Sequence, residues 1–261
     1  MARNNSGPGY PVLVLILTVV CLSMVYPFLN LFFISISSIS EVMSSKGLML
    51  YPKSVTFFAY RYLLQYPFLP VSYYNTVFIT VIGTSLALIM STLGAYVISR
   101  RDLPGRSIIT TFVILTMFIG GGLIPSYLNM RSLKLLNTLW VLILPSMIST
   151  WNMLLLRNFI MAIPVELTEA SRIDGCGELR LLIRIIVPLS MPILATLALF
   201  YGVGRWNEYS NVIIYNARQN LQTIQVIIRR MYQLAMVEQT SMSDDIVNMP
   251  PLDTIRAAPS G

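Results

Sequence analysis

The chain contains no histidine, only two cysteines and few charged side chains, and each shortage closes off a chemistry. Without histidine, the commonest general base and the commonest imidazole metal ligand are both missing. Cys21 falls in an apolar stretch and Cys176 in a polar connection, too little thiol for a disulfide framework or a cysteine-built metal site. No serine stands in a G-x-S-x-G setting, and no G-x4-G-K-[S/T] loop occurs to cradle a nucleotide phosphate. The expectation is a non-catalytic chain with no metal and no cofactor.

Charged residues make up 11% of the 261, against roughly 25% in a soluble domain. Hydrophobic residues make up 55%, and the mean hydropathy is +0.69. The apolar residues gather into long stretches instead of recurring at amphipathic spacing, so lipid is expected to solvate much of the surface. The net charge of +7 comes from 18 Lys and Arg scattered in ones and twos. No basic helical face forms, which argues against nucleic acid.

Five stretches are long and apolar enough to cross a hydrocarbon core of about 30 Å: residues 12–36, 76–98, 107–129, 136–158 and 189–214. The first is too long for a signal-peptide core, and no small-x-small site closes it. Orientation follows from the basic residues, which favour cytoplasmic loops. With the N-terminus inside, eight arginines (3, 100, 101, 106, 157, 172, 180 and 184) lie inside, against Lys46, Lys53, Arg61, Arg131 and Lys134 outside. The connection 163–188 is then cytoplasmic, and a tail over 215–261, with an amphipathic piece at 221–236, follows the last stretch.

That connection is too charged to span and too helix-prone for a plain loop. Pro164 suits a first helical position, and Glu166 and Glu169 complement the positive end of the helix dipole. Asp174-Gly175 is a turn dipeptide, and Gly175 allows a reversal that a Cβ would obstruct. Leu179, Leu182, Ile183 and Ile186 then recur at helical spacing. The expected product is a helical elbow in which small residues, Ala170 and Ser171, allow close approach to another protein.

The elbow carries E-A-S-x3-G-x9-I-x-V-P at Glu169, Ala170, Ser171, Gly175, Ile185, Val187 and Pro188. This closely resembles the EAA signature of binding-protein-dependent ABC importer permeases, from which it departs at Ser171 and Val187. Further segments, YPFLNLFFISIS, SRRDLPGR, TMFIGGGLIPSYL and GRWNEY, look most like the carbohydrate-importing branch related to MalG. The resemblance implies an all-α integral membrane bundle, a single permease domain over 1–261, in a bacterial plasma or inner membrane. It implies as partners an ABC ATPase subunit that receives the elbow, a second permease subunit and an extracellular substrate-binding protein, with membrane lipid around them. The elbow residues Glu169, Ala170, Ser171, Asp174, Gly175, Ile185 and Pro188 would couple to the ATPase. Such permeases continue past a segment like 250–258 into a final span, so that span is expected to be missing here. An inactive truncated remnant or a non-transporting scaffold is the competing expectation. A secondary transporter would need ion-coupling carboxylates in its spans, and Glu208 is the only acid near one.

Arg205, Trp206, Asn207 and Glu208 are candidates for a translocation path, because ionisable groups at membrane depth face a cavity or one another. Trp206 and Tyr209 offer rings to sugar faces; the alternative is that the segment lies in the aromatic belt at the outer interface. Trp151 and Asn152 are weaker candidates of the same kind. Gly83, Ala87, Ser91 and Ala95 form a small-xxx-small stripe for close helix packing, and Gly120, Gly121, Gly122 and Pro125 are expected to break or bend the third stretch.

Overall fold

The computed structural model describes residues 10–45, 49 and 51–234. Arg3 and Lys46 of the charge tally, and residues 235–261 of the expected tail, lie outside the described residues. Among the described residues every regular element is helical, apart from one isolated antiparallel bridge between Ser37 and Val55. The chain divides into two compact units, the first ending at Leu69 and the second beginning at Pro70.

In the first unit, α1 (Tyr10–Ser35) is apolar on every side and contains Pro27. Its hydroxyls bond back along the helix, Thr18 Oγ1 to the Val14 carbonyl and Ser23 Oγ to that of Val20, each at 2.8 Å. Two short helices follow, α2 (Ile39–Ser44) and α3 (Phe58–Leu64). The connection between them is held by Glu41, whose carboxylate accepts from the Lys53 and Ser54 amides at 2.6 and 3.1 Å.

The second unit is organised by α4 (Leu69–Ser99), 31 residues and so ~46 Å long at 1.5 Å per residue. The third apolar stretch is not one helix. It forms α5 (Arg106–Leu115) and α6 (Leu123–Ser132), separated at the three glycines, with Gly122 at φ +77° where only glycine sits without strain. The fourth is also divided, into α7 (Trp140–Ile143) and α8 (Thr150–Met161). Pro145 lies in the break, and it has no N–H to continue a helix. The elbow comprises α9 (Val165–Ile173), α10 (Glu178–Leu181), a π-turn (Leu182–Ile186) and α11 (Val187–Leu189). Then come α12 (Met191–Trp206) and α13 (Ser210–Tyr215), so the fifth stretch is interrupted as well. A 3-10 turn (Gln219–Leu221) leads to helical residues 224–234.

Two helices, Val12–Ser35 and Leu69–Ser99, are long and apolar enough to cross a membrane, and the pair Glu178–Leu189 and Met191–Trp206, bent by 81°, adds a third if it counts as one span. The five expected spans therefore do not appear as five uninterrupted helices. Charge-free length located the apolar stretches, but it carried no information on where the backbone breaks inside them.

Two apolar cores organise the second unit. One joins Ala87, Ala95 and Tyr96 of α4, Met153, Leu156 and Ile160 of α8, Leu181, Leu182 and Ile186 of the elbow, and Leu197 and Tyr201 of α12. The other joins Ile79, Met130, Val141, Leu142, Ile143, Val212 and Val226. The small-residue stripe on α4 faces α12: Ser91 Oγ meets the Tyr201 hydroxyl at 2.7 Å, and a Cβ on Gly83 would lie 2.7 Å from Arg205 Nη1.

Candidate functional site

The elbow begins at Pro164, which stands in extended backbone (ψ 131°) one residue ahead of α9 and not in its first turn. Thr168 and Ser171 bond back to the Val165 and Leu167 carbonyls at 2.7 and 2.6 Å, so both hydroxyls find acceptors within the helix. The helix stops in a Schellman arrangement: the Cys176 amide reaches the Ser171 carbonyl at 2.9 Å and the Gly175 amide that of Arg172 at 3.0 Å. Gly175 adopts φ +76°, but nothing lies within 4 Å of where its Cβ would stand. Glycine is needed here for its backbone conformation and not for space, which corrects the expectation of a steric obstruction.

Glu169 and Ala170 are exposed on α9, Ser171 is buried, and Asp174 caps the helix in the open. Ile173, at the tip, is 86% exposed, more than any other large hydrophobic side chain among the described residues. Val165 and Leu167, in the first turn of α9, are half exposed. On the other limb, Ile185 packs against the first core, while Pro188 follows the π-turn, whose widened bond runs from the Val187 amide to the Leu182 carbonyl. The elbow thus has a rooted limb and an exposed limb.

A charged cluster fastens the elbow to the end of α4. Glu178 accepts from the Tyr96 hydroxyl and from Arg100 in short contacts, and from Arg172 Nη2 at 3.3 Å. Arg100 also grips Asp102 through Nε at 2.9 Å and Nη2 at 2.6 Å. These bonds push the Arg100 guanidinium up and hold Asp102 down at about 2. Glu178 is held below the usual carboxylate range, first by the Tyr96 hydroxyl and then by Arg100. A cleft of about 660 Å³ opens here, lined by Tyr96, Arg100, Asp102, Ile163, Glu169 and Arg172 among others. Neither Tyr96, Arg100, Asp102 nor Glu178 was among the candidates from sequence. Arg100 and Asp102 lie in SRRDLPGR and Glu178 in the elbow, so each motif was visible, but nothing in the sequence paired them.

The other candidates do not assemble into one site. Arg205 is 7% exposed and donates to backbone, Nη1 to the Leu142 carbonyl at 3.2 Å and Nη2 to the Ser146 carbonyl at 3.0 Å, so it satisfies groups freed by the α7–α8 break. It makes no ion pair with Glu208, whose carboxylate instead accepts the Asn211 amide at 3.1 Å at the start of α13. Trp206 packs edge-to-face with Tyr73, at a centroid distance of 6.2 Å, and Tyr209 lies under Arg229 at 4.4 Å. The Asn207 amide donates back to Val203 at 3.0 Å, Trp151 is exposed and Asn152 is buried.

The family described as the binding-protein-dependent transport system inner membrane component matches residues 83–243. The polygalacturonan/rhamnogalacturonan transport system permease protein YtcP of Bacillus subtilis is 39% identical over 90% of this chain and 82% of its own length. Protein LplC of the same organism is 36% identical over 90% and 79%. Among solved structures, a bacterial ABC transporter involved in the import of the acidic polysaccharide alginate superposes with a TM-score of 0.80 at 31% identity, covering 88% of this chain and 82% of that one.

Proposed function

We propose a transport mechanism from one premise: this chain belongs to the family of binding-protein-dependent transport system inner membrane components. On this reading it is the permease subunit of an ATP-driven importer, one multi-pass permease domain in the cell membrane. A separate ATPase hydrolyses ATP, a second permease completes the pathway and an extracellular binding protein delivers the solute. Relatives named for sugar-polymer import support an oligosaccharide as that solute, and two of them, named for polygalacturonan/rhamnogalacturonan and for the acidic polysaccharide alginate, favour an acidic one. The family and relatives favour this reading over a scaffold or a secondary transporter.

The observation that carries the coupling role is the exposure of Ile173 at the tip of an elbow whose other limb is rooted in the core. An isolated exposed leucine or isoleucine means little, but Ile173 at one end of a short helix whose first turn also exposes Val165 and Leu167 gives α9 the form of a docking surface. Glu169, Ala170 and Asp174 would ring the contact, and Gly175 would fix the turn behind it. ATPase closure would then push on α9, and Leu181, Leu182 and Ile186 would carry the displacement to α4, α8 and α12.

Affinity capture of the tagged protein in mild detergent tests this. The native chain should bring down an ATPase subunit, and Ile173→Glu, which touches no core residue, should lose it while membrane insertion is unchanged. Undiminished capture by Ile173→Glu refutes docking through this tip.

A further inference from the structure

Where α4 ends, Arg106 of α5 and Arg157 of α8 turn their guanidiniums to the same carbonyl: Arg106 Nε lies 3.0 Å and Arg157 Nε 3.4 Å from the Ile98 oxygen. Their remaining partners are the Met161 sulfur for Arg106 and the Asn158 side-chain oxygen for Arg157. Neither takes part in an ion pair among the described residues, in contrast to Arg100 and Arg172 nearby. The two charges line a separate cleft of about 350 Å³, whose other walls are Ser107, Thr110 and Thr111. Two half-buried guanidiniums side by side repel each other, and an anion between them would relieve the repulsion. Gly105 supplies no side-chain cap to α5, so the amides of its first turn add to the positive field.

One turn beyond Thr110 and Thr111 on the same face of α5, Ile114 and Leu115 are partly exposed. The basic cleft therefore sits where an apolar helix surface meets the polar connection 100–105. We propose that this cleft holds the phosphate of an anionic phospholipid, with the two arginines and the hydroxyls on the headgroup and the acyl chains along Ile114 and Leu115. A free phosphate would satisfy the same charges but leaves the adjoining apolar surface without a role, and that surface favours the lipid. Basic pockets at the membrane edge take such headgroups by charge, with hydroxyls giving the orientation. The site does not depend on the coupling role of the elbow or on the transported solute.

The test uses the intact transporter in nanodiscs of phosphatidylcholine with graded phosphatidylglycerol, and mass spectrometry of the lipid retained on the purified complex. Native protein should retain phosphatidylglycerol in preference to phosphatidylcholine. Arg106→Gln and Arg157→Gln should each reduce the preference by about fivefold, the worth of one basic residue near an anionic surface. Thr111→Glu, at an exposed rim position, should abolish it without disturbing the core, whereas Arg131→Gln, an equal loss of charge elsewhere, should leave it intact. An unaltered preference in Thr111→Glu and both arginine variants overturns the proposal. So does displacement of the lipid by millimolar glycerol phosphate, which would indicate a free-phosphate site. A benzophenone side chain at Thr111 that crosslinks to another protein subunit instead of lipid also overturns it.

Discussion

Gly83→Ala should be the most damaging single-methyl change in the second unit. A Cβ at this position would stand 2.7 Å from Arg205 Nη1 and 2.8 Å from its Cδ and Cζ, inside the contact distance of any carbon. The guanidinium cannot simply swing aside, because its two terminal nitrogens are committed to the Leu142 and Ser146 carbonyls. Overpacking alone costs about 1–3 kcal/mol. Weakening a charged hydrogen bond adds about 1.5–3 kcal/mol, so a loss of ~2.5–6 kcal/mol is expected. Two alanine substitutions calibrate the argument. At Gly94 the new methyl would meet the Met153 sulfur at 2.6 Å, near the end of a flexible side chain that can move, and the cost should stay near ~1 kcal/mol. At Gly204 nothing lies within 4 Å, so helix propensity should make the change neutral or stabilising by up to ~1 kcal/mol. Thermal unfolding in nanodiscs should rank Gly204→Ala highest, then Gly94→Ala, then Gly83→Ala, and in an Arg205→Ala background most of the Gly83→Ala cost should vanish. Equal melting temperatures for Gly83→Ala and Gly204→Ala, or a cost independent of Arg205, would refute the account of α4 against α12.

Gly175→Ala should destabilise the elbow by about 1–2 kcal/mol, seen as faster amide exchange at Cys176, because φ +76° disfavours an L-residue. Gly175→Asn should recover much of that loss, since Asn tolerates the left-handed region, and equal exchange in both variants would refute the conformational argument. Asp102 is held down to about 2 from 3.8 by Arg100, so the stability it contributes is complete above 3.8 and is lost as pH falls through about 2. The melting temperature should accordingly decline in that window, and Asp102→Asn should flatten this part of the profile.

The helix boundaries of the elbow were legible because their signals are local: a turn dipeptide, acids in the first turn, apolar residues at helical spacing. The small-residue stripe was legible for the same reason, although only the structure shows that Tyr201 and Arg205 fill it. The breaks inside the apolar stretches were partly legible. Three successive glycines announce one, but Pro145 was passed over because a charge-free run of sufficient length satisfies the expectation of a span whatever its backbone does. The Tyr96–Arg100–Glu178 cluster joins residues up to 82 apart in sequence, a pairing that no spacing encodes.

Arg205 shows how an ionisable residue in a long apolar stretch is compensated without an opposite charge. Such a group must be compensated, but an opposite charge and a water-filled cavity are not the only means. A helix broken at Pro145 leaves carbonyls without amides, and an unpaired carbonyl in an apolar interior is itself costly. Here the two deficits offset each other: the guanidinium takes the Leu142 and Ser146 carbonyls, and Gly83 leaves room for its stem. Tyr201, one turn earlier, treats the same break alike, its hydroxyl accepting the Ser149 amide at 3.1 Å while meeting Ser91 Oγ. The irregular backbone of α7–α8 is thus held by side chains from α12, the helix into which the elbow leads. Under the proposed coupling, a displacement of the elbow that shifts α12 acts on this break through Tyr201 and Arg205.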